Sequence, residues 1–440
     1  MAACRHSAAP SSPGRSRSGS IGDRPVSKPR IFCGSGVGSR GTKETVAGRT
    51  AVGGGGGGGG TGSSRVISPP TPSGHPTGLG SATAGSSYPA AEAAASSLPV
   101  KHPSLESLQR PSYHESRFDD LLSNDVEVVQ LDQLRQLSWN GIPPHRRATV
   151  WQLLLGYLPA NRARREGALG RKRREYRDAV TQYFTVPDST RTTQEQNILR
   201  QILVDVPRTC PDVPFFHQER VQRAMERVLY IWAIRHPASG YVQGINDLIT
   251  PLYLVFLSPY VGNSVEATDV SKVKESDLAE VEADVYWCLT KLLDNIQDHY
   301  TAMQPGLQRM IVRLEDLVKR IDADLHRHLA EEGLQFIQFA FRWMNCLLMR
   351  ELPLRAVVRA WDTYLAEENG FESFQVYVSA ALLCHFSATL REMDFQAMVI
   401  FLQDMPTKEW GEEEVEPLLS QAYILGTLFE NSPNHLAGAS

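Results

Sequence analysis

From about Phe118 onward, apolar residues recur at helical spacing, and no alternating run of useful length interrupts them to offer a strand. A chain that keeps one period over roughly 300 residues can bury its apolar stripes only by packing helix on helix, and that length is ample for an extensive core. The clearest stripe lies in His217 to Arg235. There Val221, Met225, Val228, Leu229 and Trp232 share one face, while Arg220, Arg223, Glu226 and Arg227 lie mostly off it. Comparable patterns predict helices over 118–136, 145–157, 171–184, 193–205, 245–257, 278–297, 302–330, 334–349, 354–366, 372–390, 393–403 and 412–429. No fixed-period repeat appears, which disfavours a solenoid.

The breaks have local causes. Pro143-Pro144 opens one helix and Pro187 closes another. The helix running to Asp205 is expected to end near Val206, because proline disfavours helical geometry in the residue before it. Pro207 and Pro211 are then expected to bracket a short extended piece. Residues 258–277, with Pro259, Gly262 and scattered charges, read as a polar loop.

The first hundred residues differ in kind. They are rich in Ser, Gly, Pro and Ala, and include eight consecutive glycines, Gly53 to Gly60. Such a segment cannot bury enough apolar surface to offset its ordering entropy, so a disordered tail is expected. It carries 10 Lys and Arg against 3 Asp and Glu, net +7, leaving 35 against 46, net −11, for the rest. An acidic folded part argues against nucleic-acid binding. Arg15-Ser16-Arg17-Ser18-Gly19-Ser20 places serines three residues after arginines, where phosphorylation would create a docking site for a phospho-dependent partner.

The six cysteines (Cys4, Cys33, Cys210, Cys288, Cys346, Cys384) show no CxxC spacing and read as free thiols in a reducing compartment. Met1 to Pro10 lacks the apolar core of a signal peptide. The longest apolar stretch, Leu248 to Leu257, contains Thr250 and Pro251 and is too short to span a bilayer. A cytoplasmic protein without a transmembrane segment is expected.

No GxxxxGK[ST] loop is present, and the GxGxxG match falls within the polyglycine run, so the chain is not expected to hold a nucleotide alone. His326 and His328, two apart on a helix, face different sides and make no metal pair. HExxH, GxSxG and paired cysteine ligands are absent.

Two segments remain. Arg208 sits on a connector stiffened by Pro207 and Pro211, free to project or to pair with Asp205. Gln243 lies in a turn flanked by Gly240 and Gly244, able to reach outward or to satisfy helix-terminal backbone groups. Asn246 and Asp247 suit capping or inter-helix hydrogen bonds. A guanidinium can neutralise charge developing on a transferring phosphoryl group, and a primary amide can orient an attacking water.

In combination these segments resemble the TBC domain of Rab GTPase-activating proteins. The chain has Gly141-Ile142-Pro143, Arg147-x-x-x-Trp151, Ile202-x-x-Asp205-x-x-Arg208-Thr209-x-Pro211 and Gly240-Tyr241-x-Gln243-Gly244-x-Asn246-Asp247-Leu248. Arg342-Trp343, Arg350-Glu351 and Trp361-Asp362-x-Tyr364 follow in the family's order. Thr185-Val186-Pro187-Asp188 and the run from Gln201 to Thr209 look most like the member-22 branch. The resemblance implies a V-shaped, two-lobed all-α domain over 138–430, after an N-terminal extension helix region at 111–137 and the tail at 1–110.

It also implies a mechanism acting in trans. Arg208 would enter the active site of a Rab-family GTPase, and Gln243 would stand in for the GTPase's own water-orienting glutamine. Asp205, Tyr241, Gly244 and Ile202 would support these residues and contact the GTPase, while Arg147 and Trp151 would be structural. No cofactor of its own is implied, GTP and magnesium being held by the partner, and independent substrate turnover is not expected. The expected role is in vesicle trafficking, peripheral on Golgi or other endomembranes. The competing reading is a non-catalytic helical scaffold that binds a small GTPase or other trafficking partners. A metal-free hydrolase lacks any visible nucleophile and base. Partner choice is expected to depend on the surface around Arg208 and Gln243 and on loops such as 258–277. Apolar positions on the terminal helices would permit a homodimer.

Overall fold

The computed structural model describes residues 112–262 and 264–429. The expectations for the tail and its serines lie outside those residues. What is described is all-α, and the one β contact among the described residues is an isolated bridge between Val128 and Asn161. Helices α1 (Tyr113–Leu121), α2 (Leu131–Ser138), α3 (Pro144–Leu154) and α4 (Arg165–Ala179) come first. Next are α5 (Thr193–Asp205), α6 (Glu219–Arg235), α7 (Ile245–Val261) and α8 (Glu275–Asn295). The C-terminal half holds α9 (Pro305–Ile321), α10 (Ala323–Glu331), α11 (Ile337–Asn345), α12 (Leu354–Ala366), α13 (Gln375–His385), α14 (Ser387–Leu390), α15 (Phe395–Gln403) and α16 (Glu412–Phe429).

Local chemistry starts several of these helices. Ser112 and Glu115 form a reciprocal capping box on α1, and Thr192 and Glu195 form another on α5. Pro144 and Pro305 occupy first-turn positions, where the missing N–H costs nothing.

Helix α7 is buried on nearly every side and packs against α3, α6, α8 and α12. It contains Pro251 and Pro259, and each removes the N–H that would satisfy a carbonyl four residues back. The neighbouring hydroxyls substitute. Thr250 Oγ1 donates to the Asp247 carbonyl at 2.9 Å, and Ser258 Oγ donates to the Val255 carbonyl at 2.8 Å. An apolar central helix thus carries two prolines without leaving those carbonyls unpaired.

Three expectations require correction. The pattern over 118–136 is two helices, because Arg162 ties down the connector by donating to the Leu122, Ser123 and Val126 carbonyls. The pattern over 302–330 is also two, since Asp322 leaves helical geometry and its Oδ1 accepts from Leu325 N at 3.0 Å, capping α10. The polar loop at 258–277 is shorter and pinned: Val265, Val270 and Val273 are buried, and the Gln218 side chain brackets the Thr268 carbonyl and the Val270 N–H, both at 2.7 Å.

Buried carboxylates join helices distant in sequence. Asp362 on α12 is fully buried and accepts from Arg147 Nη2 at 2.9 Å, Trp151 Nε1 at 2.7 Å and Ile142 N at 2.9 Å. Arg147 and Trp151, one turn apart on α3, thus grip the same carboxylate. Glu282 accepts from Tyr176 and Arg227, tying α8 to α4 and α6. Asp284 accepts from Tyr157, Gln152 and Arg173. Removing one partner of such a pair leaves the other charge buried and unsatisfied. Asp362→Ala is therefore expected to cost about 3–5 kcal/mol in urea unfolding. A loss below about 1 kcal/mol, the range of an exposed pair, would show that Asp362 is not a structural pin.

Candidate functional site

The α5 helix tightens at its C-terminal end into a 3₁₀ turn, Val206–Arg208. As expected, α5 ends at Asp205 with Val206 as its C-cap, but Val206 keeps helical dihedrals (φ −57°, ψ −46°), so the end is not produced by Pro207 expelling it from helical geometry. The preference before proline is outweighed here because Val206 is fully buried and its carbonyl accepts the Thr209 N–H at 3.1 Å. The expected extended piece between Pro207 and Pro211 is accordingly a turn in its first half, and backbone first becomes extended at Thr209. Arg208 is thus presented at the end of a rigid helix with half of its side chain exposed.

Asp205 fixes that side chain. Its Oδ1 accepts from Arg208 Nε at 3.1 Å and also from Nη2, while its Oδ2 accepts from the Tyr241 hydroxyl at 2.7 Å. The Asp205 carboxylate and Tyr241 are buried. Burial, reinforced by the adjoining Asp205 charge, pushes the Tyr241 phenol far above its ordinary range, so it remains a donor. One carboxylate therefore joins two segments 36 residues apart.

The second segment is held as tightly. Gly240 and Gly244 both have positive φ, and Gly244 at +111° stands where a Cβ would lie 2.3 Å from Asn345 Nδ2. Asn345 uses that nitrogen to donate to the Gln243 carbonyl at 2.9 Å, and its own carbonyl accepts from Tyr300 at 2.9 Å. Asn246 Oδ1 accepts from Gly244 N at 3.0 Å, and its Nδ2 donates to Thr209 Oγ1 at 3.0 Å. Thr209 Oγ1 in turn donates to the Asp205 carbonyl at 2.9 Å. The Tyr241 hydroxyl, whose proton goes to Asp205, also lies 3.2 Å from Asn246 Oδ1, so the polar contacts run in a ring through Asp205, Tyr241, Asn246 and Thr209. Arg350 braces this ring by donating to the buried Asp247 at 2.8 Å. Burial raises the Asp247 carboxyl's affinity for a proton, and Arg350 opposes that.

With its backbone fixed, the Gln243 side chain is exposed and makes no hydrogen bond among the described residues. Arg208 and Gln243 open together onto a groove of about 740 Å³, whose remaining wall is the outer face of α5, with Asn197, Arg200, Gln201 and Val204. Nothing among the described residues forms a metal-ligating cluster. His326 approaches Glu315 while His328 approaches the Met393 carbonyl, so the two histidines diverge.

The structure reassigns some expected contacts. Ile202 is fully buried on the inner side of α5 and Gly244 is buried under Asn345, so neither offers a surface to a partner. Both are packed into the interior, and the buried Asp205 and Tyr241 are hydrogen-bonded to each other. Sequence reasoning quoted Thr209 within the motif without giving it a role and did not find Tyr300 and Asn345 as parts of this site, since partners of the three lie 37, 45 and 102 residues away in the chain. The cysteines Cys210, Cys288, Cys346 and Cys384 are free thiols, and burial pushes Cys210, beside the site, up to about 12.

Comparison with known proteins agrees with the all-α fold. The family model described as the Rab-GTPase-TBC domain matches residues 144–390. Human TBC1 domain family member 22B is 51% identical over 320 residues, covering 72% of this chain and 62% of that protein. GTPase-activating protein gyp1 of Schizosaccharomyces pombe is 49% identical over 314 residues, covering 71% and 61%. The chain thus spans about three fifths of the length of these curated relatives. The crystal structure of the Ypt/Rab-GAP domain of Gyp1p superposes with a TM-score of 0.68 at 48% identity, over 72% of this chain and 98% of that one. The helical domain that carries Arg208 and Gln243 belongs to the Rab-GTPase-TBC domain family.

Proposed function

We propose that this chain accelerates GTP hydrolysis by a Rab-type small GTPase, contributing Arg208 and Gln243 to the partner's active site. The observation that carries the reading is the Asp205–Tyr241 bond, which holds both segments so that a half-exposed guanidinium and an unengaged amide open on one groove. Relatives named GTPase-activating protein support it.

The geometry suits the chemistry. A guanidinium has five N–H donors, and Asp205 occupies one on Nε and one on Nη2. The remaining donors can meet the equatorial oxygens of a transferring phosphoryl group while Asp205 keeps its hold. Pre-ordering the side chain lowers the entropy lost on docking. Gln243 offers the attacking water one acceptor and one donor, from a backbone that cannot drift. Nucleotide and magnesium belong to the partner. This role places the protein in the cytoplasm, at endomembranes where such GTPases act. A scaffold that only binds the GTPase would not need this arrangement.

Arginine fingers contribute roughly 10³ to 10⁵ in kcat, about 4–7 kcal/mol of barrier. In single-turnover hydrolysis across a Rab panel, Arg208→Ala should remove at least about 10³ of the stimulation. Arg208→Lys should restore little, because an ammonium lacks the planar fork. A variant that keeps most of the stimulation takes Arg208 out of the mechanism. Gln243→Ala should be severely impaired, and a wild-type rate would refute the two-residue mechanism. Tyr241→Phe removes the donor to Asp205 Oδ2, and a loss on the order of tenfold in kcat with folding retained is expected. An unchanged kcat there would deny the network a positioning role.

A further inference from the structure

We propose that the outward face of α4 is a docking surface for an anionic lipid bilayer. Arg171, Arg174 and Arg177 follow one another at intervals of three, and Arg164 stands two helical turns before Arg171. All four are exposed, and none has an ion-pair partner among the described residues.

The contrast with α6 gives this its force. That helix carries four arginines, and each reaches a carboxylate: Arg220 to Glu275, Arg223 to Glu226, Arg227 to Glu282 and Arg235 to Glu175. Even on α4, the inward Lys172 and Arg173 are paired, with Glu175 and with Glu280 and Asp284. On α4 the exposed arginines are thus the ones without a carboxylate, while the partly buried Arg165 donates to the Pro159 carbonyl. Glu166 and Asp178 are the acidic residues exposed on α4, leaving an excess of positive charge. From residue 101 onward the chain is net acidic, so this face is a local reversal of sign.

The shape selects among anionic partners. Gly167 and Gly170 lie among these arginines, and a Cβ at either would meet nothing within 4 Å. The backbone there is open to solvent, and from Arg164 to Arg177 the face spans roughly 20 Å. A groove-bound peptide would need concavity, and single-strand recognition by base stacking would need exposed aromatic side chains, which α4 does not offer, its aromatic residue Tyr176 being buried. A broad, planar, negatively charged surface needs neither. The long arginine stems reach the headgroup layer while the helix axis lies parallel to it.

The test is vesicle co-sedimentation of the full chain, using phosphatidylcholine vesicles with and without phosphatidylserine. The comparison variant carries Arg171→Gln, Arg174→Gln and Arg177→Gln together, with its fold checked by circular dichroism. Binding to phosphatidylserine vesicles that weakens with added salt, and that falls roughly a hundredfold in the variant, is expected. Hydrolysis stimulated in solution with a soluble GTPase should be unchanged, which separates this surface from the groove. Equal binding by the variant would assign lipid attraction to another basic segment and overturn the proposal. Absent binding, equal binding to neutral vesicles, or binding abolished by competing RNA but not by free phosphatidylserine vesicles would overturn it as well.

Discussion

Asp362 is buried to zero exposure, and a carboxylate so far from water is tolerable only where donors surround it. Arg147, Trp151 and the Ile142 N–H are those donors, which leaves α12 one place to lie: against the start of α3, more than 200 residues earlier in the chain. Apolar stripes alone would let helices slide or rotate past one another. A charged group with fixed partners does not. Glu282 and Asp284 apply the same constraint to α8, Glu282 fixing it on α4 and α6 and Asp284 on α4 and α3.

The site repeats this device at the surface. Asp205 is buried like the structural carboxylates, but one of its partners is the half-exposed Arg208 and the other is Tyr241 from a different segment. A structural pin thereby becomes a positioning group. It keeps the guanidinium from sampling many rotamers and ties its location to that of Gln243. Asn246 and Thr209 close the remaining gap, so displacing either segment breaks hydrogen bonds in both. Rigidity of this kind is what transition-state stabilisation by preplaced charge requires.

Much of this was legible in the sequence, for identifiable reasons. Helical periodicity located α5, α6 and α12, and the motifs flanking Arg208 and Gln243 singled out the two segments that the structure brings together. What was missed shares one cause: the deciding contact is remote. Nothing near Leu122 announces that Arg162 will end the first helix, and no local pattern around Asn345 says that it will hold the Gln243 backbone. The break at Asp322 is local but is carried by an aspartate cap without glycine or proline to mark it. Val206 shows the opposite failure, a correct local preference overruled by burial. Ile202 belongs to the finger motif by position, yet the helical phase turns it into the core.

The central claim is that Arg208 and Gln243 are arranged for a transition state and not merely for binding. It is tested most directly by measuring the affinity of a responsive Rab loaded with GDP, with and without aluminium fluoride, for the wild-type chain and for Arg208→Ala. The account predicts that fluoride strengthens binding to the wild type and leaves the variant's affinity unchanged. Equal strengthening in both, or none in the wild type, would contradict it and make the domain a binding module.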